Sequence, residues 1–429
     1  MINRTIPSPV SMPQELHFTK ADVHTLSNGI KLLVINKGDE EVCRIDLVFH
    51  AGSRYQQVNL QANAALMLMP EGTTNNTSKQ ISEHFDFYGS FLNIDVDKDY
   101  ATLSLSSLIK HFPNCIEMLG EIVRTPVYPD KELILWSQRG KHKLLVELEK
   151  TSTLAGRAFF GTLFGKTHPY GAMASPDDYD IIAQPQLRSF HSSRIGSNFL
   201  IIILSGKIGE HEIALVEKCF GNLTKGNDMS PIPNGIAVDA SGRGKVFVEK
   251  PNAVQSAIRV GRILFPRTHP DYPAFLILNT ILGGYFGSRL MRNIREDKGF
   301  TYGINSFLAP FRHSGVFAIA TEVGAAYTEP TLKEIYSEMK RLRNEPIADD
   351  ELLLVKSYLM GEILRNFNGA FPMANSIIKL LYYNELDYSF YDNLFKTIRT
   401  ITSDRLMEMA NKWLIEEEML ECVAGSRET

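Results

Sequence analysis

The sequence predicts an α+β protein of two tandem homologous domains, each a mainly antiparallel sheet with helices packed on one face. Two observations carry this. The first is a steady internal repeat. A proline-led helical pattern opens at Pro126-Val-Tyr-Pro-Asp-Lys-Glu132-Leu133 and again at Pro346-Ile-Ala-Asp-Asp-Glu351-Leu352, with the prolines 220 positions apart. Apolar runs ending at Gly206 and Gly425 lie 219 positions apart. Offsets this constant indicate a duplicated unit of roughly 200 residues. The second observation is order: each half opens on strand patterns and then turns largely to helical ones.

In the first half, His24 to Ile35 reads as a strand, an Asn28-Gly29 turn and a second strand. Arg44 to His50 is a third strand. After a helical stretch, Tyr100-Ala-Thr-Leu-Ser-Leu-Ser106 alternates apolar and polar residues with period two. The Pro126 pattern then runs as a helix to about Lys150, and Ile182 to Leu187 introduces a helix followed by the strand Leu200 to Gly206. In the second half, Lys245 to Glu249 and Ser256 to Leu264 are strands, and Gly315 to Thr321 repeats the alternation. Ala274 to Lys298 is largely helical, interrupted at Gly283-Gly284 and Gly287. The Pro346 helix runs to about Arg365, and Ile401 to Leu406 precedes a helix and the strand Leu420 to Gly425. Residues 225–244, rich in Gly, Pro, Ser and Asn, read as a linker between domains at 1–224 and 245–429.

Of the 429 residues, 44% are hydrophobic and 22% charged, as in ordinary globular proteins. A net charge of −4 gives no reason to expect a nucleic acid or an anionic membrane as partner. The longest apolar run, Asn198 to Ser205, is far shorter than the ~20 residues a membrane-spanning helix needs. The first residues, Met1-Ile-Asn-Arg-Thr-Ile-Pro-Ser-Pro, carry no apolar segment of signal-peptide type. Cys43, Cys115, Cys219 and Cys422 are scattered, as expected of free thiols in a reducing compartment. The expected location is cytoplasmic.

The landmarks Gly52-Ser53-Arg54, Gly72-Thr73, Gly89-Ser-Phe-Leu-Asn93, Asp99-Tyr100 and His168-Pro169-Tyr170-Gly171, with the stretch Gly287-Ser-Arg-Leu290 to Tyr302, stand in the order and spacing of one family. Over about residues 20–425 the chain resembles the M16 (pitrilysin-type, inverzincin) metallopeptidases. The resemblance implies the metallopeptidase M16/LuxS-like fold, with the two domains forming a bowl-shaped half of a clamshell. Active members carry His-x-x-Glu-His on a helix just before the Gly-Thr. Two histidines at i and i+4 share one helix face and one zinc, and the glutamate serves as base. Here the histidine positions hold Asn63 and Met67, and the base position holds Leu66. Glu147 falls near the third-ligand position, with Glu149 as the alternative. An amide oxygen and a thioether are poor zinc donors, and Leu66 cannot move a proton. The eleven histidines offer no local substitute, since no two lie within five positions of each other.

Arg295 and Tyr302 match the family's substrate-side arginine and tyrosine. The residues alone place Arg295 in a last helical turn before a Gly299 stop and Tyr302 at the start of a strand, with both side chains free to enter one cleft. A cation at a helix end is commonly a surface group and a strand tyrosine commonly packs. What assigns these two a role is the resemblance, which implies that they hold a peptide carbonyl and stabilise its oxyanion. Gly283, Gly284 and Gly287 read as positions for close helix packing, the alternative being close approach of a peptide backbone, and His168-Pro-Tyr-Gly171 reads as a structural turn. The resemblance therefore implies the zinc-less subunit of a heteromeric peptidase, with no cofactor in this chain and zinc in a partner subunit. The partner would be a zinc-bearing M16 paralogue or a second copy, and the substrate a peptide or unfolded segment. The alternative is a non-catalytic peptide-binding or scaffold homologue with no proteolytic role.

Overall fold

The computed structural model describes residues 18–227 and 242–427. Most of the expected linker, residues 228–241, lies outside them. The first sheet comprises β1 (Asp22–Thr25), β2 (Lys31–Asn36), β3 (Val42–Phe49), β4 (Phe91–Val96), β5 (Ala101–Leu108) and β6 (Leu200–Gly206), in the order β1-β2-β6-β3-β5-β4. The second comprises β7 (Gly244–Glu249), β8 (Gln255–Leu264), β9 (Ile304–Pro310), β10 (Gly315–Gly324) and β11 (Leu420–Gly425), in the order β7-β11-β8-β10-β9. Both sheets are mainly antiparallel. The exceptions are β2 with β6 and β7 with β11, where the last strand of a half enters its sheet beside an early one. β4 has no counterpart among the sequence expectations. Its exposed face carries Phe91, Asn93 and Asp95, and Asn and Asp are depleted in strands, so its alternation is blurred.

Each sheet packs one face on helices of its own half. Ile45, Leu47, Leu103, Leu105, Ile202 and Leu204 join the first core, and Ile258, Val260, Phe317, Ile319 and Val423 the second. The opposite face receives a helix from the other half. Helix Thr151–Phe164 places Ala155, Phe159 and Leu163, spaced i, i+4, i+8, on the second sheet against Ala257, Ala318, Cys422 and Ala424. Helix Ala370–Asn384 places Ala370, Met373, Ala374, Ile377 and Leu381 on the first sheet against Leu33, Ile35, Val48 and Ile203. These helices begin 219 residues apart, so the exchange follows the repeat. Small sheet residues make it possible. A Cβ on Gly261 would meet Phe159 Cζ at 3.0 Å and the Phe317 carbonyl oxygen at 2.0 Å. Tyr100 stacks on Tyr382 at 4.3 Å and donates to the Leu381 carbonyl at 3.0 Å, fixing the second exchanged helix by its polar end. Each large apolar side chain buried in these seams contributes about 1.5–3 kcal/mol, so the halves are held as one body.

All four cysteines are buried and unpaired. Among the described residues, no helix is long and apolar enough to cross a membrane.

Candidate substrate-binding site

The helix that carries Asn63, Leu66 and Met67 is short, Gln61–Met67, entered through Leu60 in a left-handed conformation (φ 69°). Asn63 is half-buried and Met67 is 38% exposed, one turn apart as the i, i+4 spacing requires. Leu66, at the base position, is 0% exposed and belongs to the first core. Glu147 sits near the end of helix Asp130–Leu148, where it pairs with Lys150 at 2.7 Å and accepts from Thr153 Oγ1 at 3.5 Å. The hydrogen bond from Lys150 holds its carboxyl below the usual glutamate range. Glu149 pairs with Lys250. An amide, a thioether and one carboxylate already engaged by a lysine do not make a zinc site. Among the described residues, no three His, Cys, Asp or Glu side chains are grouped to hold a metal ion.

Helix Tyr272–Asn279 widens into π-helical turns at Thr280–Gly284, breaks at Tyr285, and resumes as the wide helix Met291–Asp297. Arg295 lies in the last turn of that segment. Gly299, at φ +68°, takes the left-handed conformation that ends it. The Arg295 guanidinium rests over the Phe286 ring at 4.7 Å, its one charge contact among the described residues. Tyr302 does not open the following strand as the sequence suggested. It lies in the turn before β9, which starts at Ile304, and is 95% exposed. Hydroxyls hold that turn: Thr301 Oγ1 donates to the Glu322 carbonyl at 2.7 Å and Thr321 Oγ1 donates to the Gly303 carbonyl at 3.0 Å. The turn is therefore fixed while its tyrosine ring stays in solvent.

Tyr302 lines a groove of about 360 Å³ with Gln255, Arg259, Asn305, Thr321 and Glu322, on the second sheet. Arg295 is not among its lining residues, and no hydrogen bond joins the two side chains. Arg259, which sequence reasoning did not single out, is the cation that shares the groove with Tyr302. Its signal was faint: it is one of two arginines, Arg259 and Arg262, in the strand Gln255–Leu264.

Three landmarks of the first half converge elsewhere. Asp99 accepts from Tyr170 Oη at 2.9 and 3.1 Å, pairs with Arg54 at 3.2 Å, and accepts the Arg312 backbone N–H at 3.0 Å. His168 Nδ1 accepts from the Tyr170 N–H at 3.1 Å, and Lys98 Nζ donates to the Pro169 and Ala172 carbonyls at 3.1 and 2.9 Å. A Cβ on Gly52 would lie 2.4 Å from the Lys98 carbonyl oxygen, so the glycine lets these backbones touch. This buried network ties the halves together.

Comparison with known proteins agrees with this architecture. Residues 182–359 match the family model "Peptidase M16 inactive domain", and residues 31–151 match "Insulinase (Peptidase family M16)". An uncharacterized zinc protease of Rickettsia felis is 22% identical over 401 residues, covering 91% of this chain and 94% of its own. The uncharacterized zinc protease YmxG of Bacillus subtilis is 21% identical over 417 residues, covering 94% and 98%. Among solved structures, a peptidase M16 inactive domain from Pseudomonas fluorescens superposes with a TM-score of 0.84 at 24% identity, over 95% of this chain and 98% of that one. A protease from Helicobacter pylori gives 0.86 at 18% identity, over 94% and 99%. A chain of complex III2 from Candida albicans gives 0.75 at 14% identity, over 94% and 96%. The chain belongs to peptidase family M16.

Proposed function

We propose that this chain is the zinc-less subunit of a heteromeric M16-type peptidase. In this reading it holds peptide substrate and a partner subunit supplies the metal. One observation carries the reading. The positions that would bind zinc and move a proton are Asn63, Met67 and a fully buried Leu66, while Tyr302 is held out into solvent by a turn that does not need its ring. A phenol kept at 95% exposure adds nothing to the core and is available to a ligand. Tyr302 and Arg295 would donate to a substrate carbonyl, the tyrosine by hydrogen bond and the arginine by permanent charge. The relatives named zinc proteases support a peptide as the ligand.

The experiment is a mixing assay. The chain alone, a zinc-bearing M16 paralogue alone, and the two together are given an unstructured peptide. The expected result is cleavage that rises only on mixing. If the mixture is no faster than the zinc-bearing protein alone, the reading is wrong. The second reading is a scaffold or peptide-binding homologue without a proteolytic role. Two observations favour it: the complex III2 chain shares the fold, and Arg295 lies outside the groove of Tyr302.

A further inference from the structure

We infer that Arg259 anchors a peptide carboxylate in the groove that presents Tyr302. This rests on the reading that the chain binds peptides, and it adds which chemical group of the peptide is held and by what.

Arg259 stands on β8, an internal strand, between Ala320 of β10 and Cys422 of β11. Both neighbours are small, and the arginine is half-buried beside them. Among the described residues its one hydrogen bond runs from Nη1 to the carbonyl of Ile258, the preceding residue, at 2.9 Å. That leaves four of five guanidinium donors without a protein acceptor. Glu322 lines the same groove and acts on the arginine through space, yet no described carboxylate reaches ion-pair distance of it. A cation partly withdrawn from water and left unpaired is costly unless something else meets it.

The guanidinium fork matches a carboxylate with two parallel hydrogen bonds. Asn305 and Gln255 add amide groups suited to a peptide backbone, and Tyr302 lines the same groove. At about 360 Å³ it lies at the small end of ligand sites, fitting a short stretch of peptide rather than a folded partner. Glu322 limits the local positive charge, so the site suits a singly charged carboxylate better than a phosphate or a polyanion. Arg295, stacked on Phe286 outside the groove, is left to a different task.

A carboxylate can come from a peptide's C-terminus or from an internal Asp or Glu. The test is fluorescence anisotropy of the full chain with one labelled peptide sequence in three forms: free C-terminal acid, C-terminal amide, and amide with an internal Glu. The expected result is that at least one acid-bearing form binds about 10- to 100-fold tighter than the neutral amide, as for a charged hydrogen-bonded pair. The form that does so identifies the source. R259Q should erase that preference, R259K should keep part of it, and E322Q should strengthen it. Should R259Q not fold, the comparison of the three peptides on the wild type, with E322Q at an exposed position, still decides. Equal binding of the neutral amide, an R259Q protein that keeps the preference, or no binding of any form would overturn the inference. Tight binding without acid preference would remove Arg259 yet leave the peptide-binding reading intact, and cleavage in the mixing assay is scored separately.

Discussion

The Asp99 carboxylate accepts the backbone N–H of Arg312 at 3.0 Å, across 213 residues and across the two sheets. The same carboxylate takes Tyr170 Oη and pairs with Arg54, whose side chain, like its own, is 3% exposed. Removing one partner of a buried pair leaves the other charge desolvated, which typically costs ~3–5 kcal/mol. Asp99→Ala should therefore lower the unfolding free energy by about that much, while Asp99→Asn, which keeps an acceptor, should cost less. Urea denaturation of the two variants checks this. A loss below ~1 kcal/mol in Asp99→Ala would mean the network adds no stability.

The exchanged helices predict an effect at a distance along the chain. Phe159 belongs to the first half but packs on the second sheet, seated over Gly261. Phe159→Ala should cost roughly 3–5 kcal/mol. In hydrogen exchange, the amides of β8 and β11 should lose protection before those of β3. Loss confined to the first sheet would contradict the exchange.

Much of this architecture is legible in the sequence, and the remainder is not for identifiable reasons. The repeat placed the helices at 130 and 349 and the strands at 200 and 420, because burial on one face imposes a regular period. It could not place helix Thr151–Phe164 on the opposite sheet. Its stripe of Ala155, Phe159 and Leu163 says that a face is buried, not against what. Tyr302 looked like a strand residue because Thr301 and Tyr302 both suit strands. The hydroxyl bonds of Thr301 and Thr321 hold a turn there instead. Arg259 went unnoticed because an unpaired cation is recognised by the absence of a neighbour, which has no sequence pattern.

Burial pushes the His50 imidazole down to about 4, and the charges of Arg312 and Arg194 add to the shift. Its Nδ1 has no hydrogen-bond partner, and its ring lies 4.6 Å from that of Tyr100. A free histidine titrates near 6.5. Between about 4 and 6.5 the unfolded chain thus binds the proton that the folded chain excludes, and stability rises with pH. This stabilisation is fully present above ~6.5 and is lost as pH falls towards 4, amounting to at most ~3 kcal/mol. His191, His269 and His313, also lowered by burial, act in the same direction. Melting curves from pH 7 to 4.5 should fall, and His50→Gln should flatten part of the slope. A His50→Gln curve parallel to wild type would remove His50 from the effect.

Tyr302→Phe separates function from stability. At 95% exposure the hydroxyl supports nothing in the fold, so the melting temperature should not move. In the mixed peptidase, loss of one oxyanion donor should slow turnover by about 100- to 1000-fold. An unchanged rate in a mixture that does cleave peptide would leave Tyr302 without a catalytic part.

Leu66 supplies the sharpest test of whether the family's zinc motif could be rebuilt in this chain. Restoring the family's motif needs Asn63→His, Leu66→Glu and Met67→His. The first and last positions are half-buried and 38% exposed, so those two changes should cost no more than about 1 kcal/mol. They would place two imidazoles at i and i+4 on one face. The double variant should therefore gain thermal stability on adding Zn²⁺, by mass action on the folded state, where the wild type gains little. Leu66→Glu is different. Its side chain is 0% exposed within the first core, where an ionised carboxylate has no partner and a protonated one leaves its polar atoms unmatched. That single change should cost on the order of 3 kcal/mol or more, and the triple variant should be less stable than the double. Calorimetry of the series with and without Zn²⁺ gives the answer. If Leu66→Glu proves as stable as wild type, the base position opens to solvent, and the core does not close it to a carboxylate.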